Sequence, residues 1–146
     1  MSTSLPLADR LNRPIGVLRL SLTARCNLAC PYCCPDLEEP PGLLTLEQQM
    51  RVIRVAARLG AQTLRLTGGE PLLSRRLLPL LEAVAQARRD RSDPIAVLQA
   101  VALTSNGVLL SEPMARALRA AGLDRITISL DAAEGDAAAR MAGLQG

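Results

Sequence analysis

The stretch Val17-Leu18-Arg19-Leu20-Ser21-Leu22 runs through Thr23-Ala24-Arg25 into Cys26-Asn27-Leu28-Ala29-Cys30-Pro31-Tyr32-Cys33. Its first part reads as an apolar strand, and its second part as a loop that carries three cysteines. Three thiolates spaced as Cys26-x-x-x-Cys30-x-x-Cys33 can ligate three irons of one cubane iron–sulfur cluster. The fourth iron is then left without a protein ligand. An open iron can chelate a small molecule, so a cluster held this way does chemistry instead of only storing an electron.

Two other uses of the thiols compete with this reading. A structural zinc site takes four ligands, and the chain has no histidine to complete a three-cysteine set. The remaining thiol, Cys34, directly follows Cys33. Neighbouring side chains in an extended loop diverge, so both rarely face one ion. Disulfides need an oxidising compartment, and residues 1–13 contain no apolar signal-peptide core that would imply one. Cys34 is most simply a small buried side chain.

Tyr32 is the one aromatic residue in the 146 of this chain, and it stands directly before Cys33. In a sequence that fills its core with Leu, Ala, Val and Ile, that placement suggests a flat ligand to pack against. An amphipathic ring that merely covers the loop is the alternative.

Composition points to a cytoplasmic enzyme segment. Hydrophobic residues make up 49% of the chain, but they are distributed, and no stretch reaches membrane-spanning length. A single domain over residues 1–146 is the natural count for this length. The net charge is +3 and the excess is arginine, which suits phosphate or carboxylate ligands. Without aromatic platforms or a dense basic cluster, nucleic-acid binding is disfavoured. The mixed-sign run Arg88 to Pro94 reads as a solvated loop.

Beyond the cysteine loop the chain alternates helix and strand. Thr45-x-x-Gln48 is a capping-box pattern, opening a helix with Val52, Val55, Ala56 and Leu59 on its apolar face and Gly60 at its end. Strands are expected at Thr63–Leu66, at Ala96–Leu103 and at Arg125–Leu130. A second helix should begin near Ser74, with Leu77, Leu80, Leu81 and Val84 on one face. A third spans Pro113–Ala121, and a fourth starts at Asp136–Met141. Strands joined by crossover helices should be parallel, which makes the fold class α/β, an incomplete (β/α) barrel. In such folds chemistry gathers beyond the carboxyl ends of the strands. The informative residues converge there: the cysteine loop, Gly68-Gly69-Glu70-Pro71, Thr104-Ser105-Asn106-Gly107, and Ser129 with Asp131. Gly68-Gly69 allows close backbone approach to a ligand, and Glu70 offers a carboxylate to a cation. Taken alone, each of these loops would be a simple turn.

The cysteine loop, with its aromatic before the last cysteine, resembles the radical S-adenosylmethionine superfamily. Within it, the chain resembles the molybdenum cofactor biosynthesis protein A family, the GTP 3′,8-cyclases. The likeness rests on Leu18 to Thr23, Arg25-Cys26-Asn27, Tyr32 to Pro35, Leu43-Leu44-Thr45, Arg65 to Leu73, Leu103 to Gly107, Ala120 to Arg125 and Ser129-Leu130-Asp131. It implies the amino-terminal part of a radical SAM partial TIM barrel, with one [4Fe-4S] cluster on Cys26, Cys30 and Cys33. It further implies that S-adenosylmethionine lies against Tyr32, Gly69 and Ser129, with Glu70 near its amino group. Arg19, Arg65 and Thr104 match positions that contact GTP. The implied reaction uses a 5′-deoxyadenosyl radical to take hydrogen from C3′ of GTP and join that carbon to C8 of guanine. A reductant protein would supply the electron.

The chain also departs from the family. Family members continue past this point, completing the barrel and adding a second three-cysteine cluster, whereas no cysteine follows Cys34 here. The expectation is therefore a fragment or truncated product, or a degenerate relative, that does not by itself make the cyclised nucleotide. The last strand should form an apolar open edge that favours association with another copy. Another radical enzyme such as a peptide-modifying one, a non-catalytic cluster-binding module and a zinc domain remain the alternatives.

The ligand set is directly testable. Replacing Cys26, Cys30 or Cys33 by Ala should abolish iron retention after anaerobic reconstitution, while Cys34→Ala should leave it nearly unchanged. Equal iron loss in all four variants would show the ligand choice to be wrong.

Overall fold

The computed structural model describes residues 7–33 and 38–143. Four strands form one parallel sheet in the order β1 (Val17–Ser21), β2 (Thr63–Thr67), β3 (Ala100–Ser105), β4 (Arg125–Ile128). Helices α1 (Leu46–Arg58), α2 (Leu77–Arg89) and α3 (Glu112–Ala120) connect successive strands, and α4 (Gly135–Met141) follows the last. The sheet is the open, parallel βα arrangement expected from the alternation of elements.

Alternation along each strand divides the sheet into two faces. Leu20, Leu64, Leu66, Val101 and Leu103 are buried in one core with Met50 and Ile53 of α1, Leu80 and Val84 of α2, and Leu118 of α3. The intervening residues, Arg19, Arg65, Ala102 and Thr104, stand on the opposite face, which is the inner wall of the partial barrel. Fully burying a leucine contributes about 1.5–3 kcal/mol, so the helix-facing row accounts for most of the adhesion between the layers.

Several local expectations are met. Thr45 caps α1 with both bonds of the capping box in place. Leu77, Leu80, Leu81 and Val84 are buried on α2. Others need correction. The buried face of α1 is Gln49, Met50, Ile53 and Ala57, whereas Val52, Val55 and Leu59 are exposed. Both sets fit helical spacing, so periodicity alone could not choose between them. The third strand begins at Ala100, not Ala96, because Asp93 caps a 3₁₀ turn over Pro94–Val97. Similarly, Pro71–Leu73 form a 3₁₀ turn, which delays α2 to Leu77.

The fourth strand ends at Ile128, and it is not strongly apolar. Its inner-face residues Arg125 and Thr127 are exposed and polar, and Leu130 lies beyond its end. Cys34, expected to be a buried non-ligand, lies outside the described residues, as does Pro35.

Candidate functional site

The rim is assembled by backbone contacts between loops far apart in sequence. After β2, the Gly69 N–H donates to the Thr23 carbonyl and the Glu70 N–H to the Arg25 carbonyl, both at 2.8 Å. Two glycines are required for this approach. A β-carbon on Gly69 would lie 2.3 Å from the Arg25 carbonyl oxygen, and one on Gly68 would lie 2.6 Å from that of Thr23. The Gly-Gly turn therefore docks flat against the root of the cysteine loop.

Glu70 is held by donors from three residues of the chain. Its side chain is fully buried, and both oxygens accept bonds from the protein itself. One oxygen accepts from the Leu72 N–H at 3.0 Å and the Ser105 hydroxyl at 2.8 Å, and the other from the Asn106 N–H at 2.8 Å. A buried carboxyl group is tolerated only when its oxygens are paired, and here three donors pair them. Its carboxylate thus braces the β2 and β3 loops, and Oε2, with a single donor, keeps one acceptor site. Asn106 extends the brace. Its amide nitrogen lies 2.9 Å from Asn27 Oδ1 and 3.8 Å from Cys26 Sγ.

These loops enclose a cavity of about 520 Å³ at the carboxyl ends of the strands. Cys26, Cys30 and Cys33 line it together with Tyr32, Gly69 and Ser129, and Arg19 and Thr104 line it from the inner wall. That volume falls in the range of sites that take one small molecule or cofactor. Arg65 and Glu70 are not among the lining residues. Tyr32 and the end of α4 hold the cysteine loop across the rim. The Tyr32 hydroxyl donates to Asp131 Oδ2 at 2.5 Å, and the Ala29 N–H to the Ala142 carbonyl at 3.2 Å. The Asp131 carboxylate accepting that bond pushes the phenol pKa above its ordinary value.

The inner wall carries a cationic row that spacing along the sequence does not reveal. Arg19 pairs in register with Arg65, Arg65 with Ala102, and Ala102 with Arg125. Register neighbours in a parallel sheet share a face, so three guanidinium stems start from one level of the inner wall. None of the three forms an ion pair among the described residues. The Arg65 Nε and the Thr104 hydroxyl are buried there without a hydrogen-bond partner among the described residues. Arg125 was not singled out from the sequence, because only the β3–β4 register aligns it with Arg19 and Arg65.

Three thiols on one cavity wall form a donor set suited to soft metals. Among the described residues no three ligating side chains converge on a single-ion position. A cubane, by contrast, takes one thiolate at each of three separate iron corners, and the three thiols all line this one cavity.

The fold and rim define a partial (β/α) barrel whose chemistry is carried by a cysteine loop. The family model of the Radical SAM superfamily matches residues 20–144. The chain belongs to the radical SAM superfamily, whose cofactors are S-adenosylmethionine and a [4Fe-4S] cluster. It is 94% identical over all 146 residues to the GTP 3′,8-cyclase of Synechococcus sp. (strain CC9605), covering 42% of that protein. It is 41% identical over 129 residues to the GTP 3′,8-cyclase of Aquifex aeolicus, with 85% of this chain and 38% of that one covered. The chain thus spans about two fifths of the length of the curated relatives it matches.

In fold it is similar to Streptococcus suis SuiB bound to S-adenosylmethionine, with a TM-score of 0.69 at 18% identity, covering 89% of this chain and 28% of that one. BtrN in complex with AdoMet and 2-DOIA gives a TM-score of 0.62 at 18% identity, covering 84% of this chain and 48% of that one. These two likenesses speak to the fold.

With a single tyrosine in the chain, the Tyr32–Asp131 contact can be read by absorbance. The phenol of the cluster-free protein should ionise above the ordinary tyrosine range, and Asp131→Asn should bring it back down. An identical titration in both proteins would show that the contact does not form in solution.

Proposed function

We propose that the chain is the cofactor- and nucleotide-binding part of a GTP 3′,8-cyclase, a lyase of molybdenum cofactor biosynthesis. The observation that carries the reading is the position of Arg19, which lines the cysteine cavity and shares a sheet row with Arg65. The 94% identical relative supports GTP as the substrate. In this reading residues 1–146 form one radical SAM core unit.

Cys26, Cys30 and Cys33 would hold the cluster, and Tyr32, Gly69 and Ser129 would bound the space for S-adenosylmethionine. Glu70 fixes the loops, and the acceptor site left on its Oε2 would serve the amino group of S-adenosylmethionine. When bound, the cluster and S-adenosylmethionine together supply a 5′-deoxyadenosyl radical that can remove a hydrogen atom from a nucleotide. The residues of the inner wall supply orientation. Arg19 and Arg65 present guanidinium forks that suit triphosphate oxygens, and the Thr104 hydroxyl, without a partner among the described residues, can receive or donate a bond to the same ligand. Holding the ribose within reach of a radical is the larger part of such a reaction, since a fixed geometry replaces a chance encounter.

A reductant protein would deliver the electron near the exposed Cys33. The open edge of β4 would pair with further chain or with a second copy. In this reading the site of action is cytoplasmic; no helix among the described residues is long and apolar enough to cross a membrane.

Binding is the appropriate readout, because the chain spans 42% of the 94% identical relative. After reconstitution, Arg19→Ala and Arg65→Ala should each weaken GTP binding by about 1.5–3 kcal/mol, roughly ten- to a hundredfold. S-adenosylmethionine binding should change less in both. Comparable GTP affinity in wild type and both variants, measured by calorimetry, would contradict the assignment.

A further inference from the structure

We propose that Asn106 is a positioning residue for the cluster, donating a hydrogen bond from its side-chain amide to the Cys26 thiolate and so raising the ease of cluster reduction. The inference rests on the reading of the cysteine loop as the cluster's ligand set.

Three contacts leave the Asn106 amide with one orientation. Its Oδ1 accepts from the Val108 N–H at 3.0 Å, so the oxygen faces its own loop and the nitrogen must face outward. Nδ2 then has two hydrogens and two acceptors, Asn27 Oδ1 at 2.9 Å and Cys26 Sγ at 3.8 Å. The residue's own N–H is held by the buried Glu70 carboxylate at 2.8 Å. Backbone and side chain are thus both fixed, and the donor points at sulfur from a rigid support. The Asn-Gly turn, which taken alone would be simple turn chemistry, is here a device for aiming an amide.

The consequence is electrostatic. A donor to a ligand sulfur stabilises negative charge on the cluster, and the reduced state carries one more negative charge than the oxidised state. The reduced state therefore gains more, and the reduction potential rises. Hydrogen bonds to the sulfurs are among the main levers on cluster potential, and Asn106 acts through Cys26 without touching iron or substrate.

The test is a redox titration of the anaerobically reconstituted chain, followed by electron paramagnetic resonance, in wild type, Asn106→Ala and Asn106→Ser. Serine keeps an acceptor for the Val108 N–H but is too short to reach the sulfur. Both variants should retain iron and secondary structure, and both should show a midpoint potential below that of wild type. An unchanged midpoint in both variants would overturn the inference. Recovery of the wild-type midpoint in Asn106→Ser would also overturn it, since the residue would then act only by shaping its loop. Iron loss from both variants would likewise make Asn106 a prop of the loop and not a tuning donor. A wild-type chain that takes up no iron would overturn the cluster reading itself, and this inference with it.

Discussion

The Glu70 carboxylate, fully buried and bonded to three donors, is the constraint on which the rim of this barrel depends. It gathers the loop after β2 and the loop after β3 around one point. The backbone of the same Gly-Gly-Glu turn is tied to the start of the cysteine loop at Thr23 and Arg25. Asn106 closes the circuit by reaching Asn27 and Cys26. Three loops from three strands therefore share one hydrogen-bonded hub. Leaving such a group buried and unpaired costs about 1–3 kcal/mol or more, so the loops are far more stable together than apart.

That hub lets the sheet do two jobs at once. Leucines and valines on the helix-facing side supply adhesion, while the opposite side is free to carry arginine and threonine. The charged row, Arg19, Arg65 and Arg125, reaches the thiol-lined cavity at Arg19, with the small Ala102 in line between Arg65 and Arg125. The loops carry the thiols, and the strands carry the arginines.

Much of this was legible in the sequence because it is local. The cysteine spacing, the Thr45–Gln48 capping box and the strand–helix alternation depend on residues close together in the chain. What was illegible depends on residues far apart. Val52 and Val55 match a helical stripe as well as Met50 and Ile53 do, and only packing against the sheet decides which is buried. The start of β3 was misplaced because Asp93 and Pro94 redirect the chain before Ala100. The bracing role of Glu70 was hidden, since nothing nearby in sequence announces that Ser105 and Asn106 will fold onto it. Arg125 joined the cationic row only through the register of β4 on β3.

The most direct test of this account is hydrogen exchange at single-amide resolution in wild type and Glu70→Gln. Replacing one oxygen by an amide nitrogen sets donor against donor at the hub while keeping its volume. Amides of the cysteine loop and of Asn106 to Val108 should lose protection together with Leu72, while core amides such as Leu64 and Leu103 stay unchanged. Increased exchange confined to residues 70–73, with the cysteine loop and the Asn106 turn unaffected, would contradict the account.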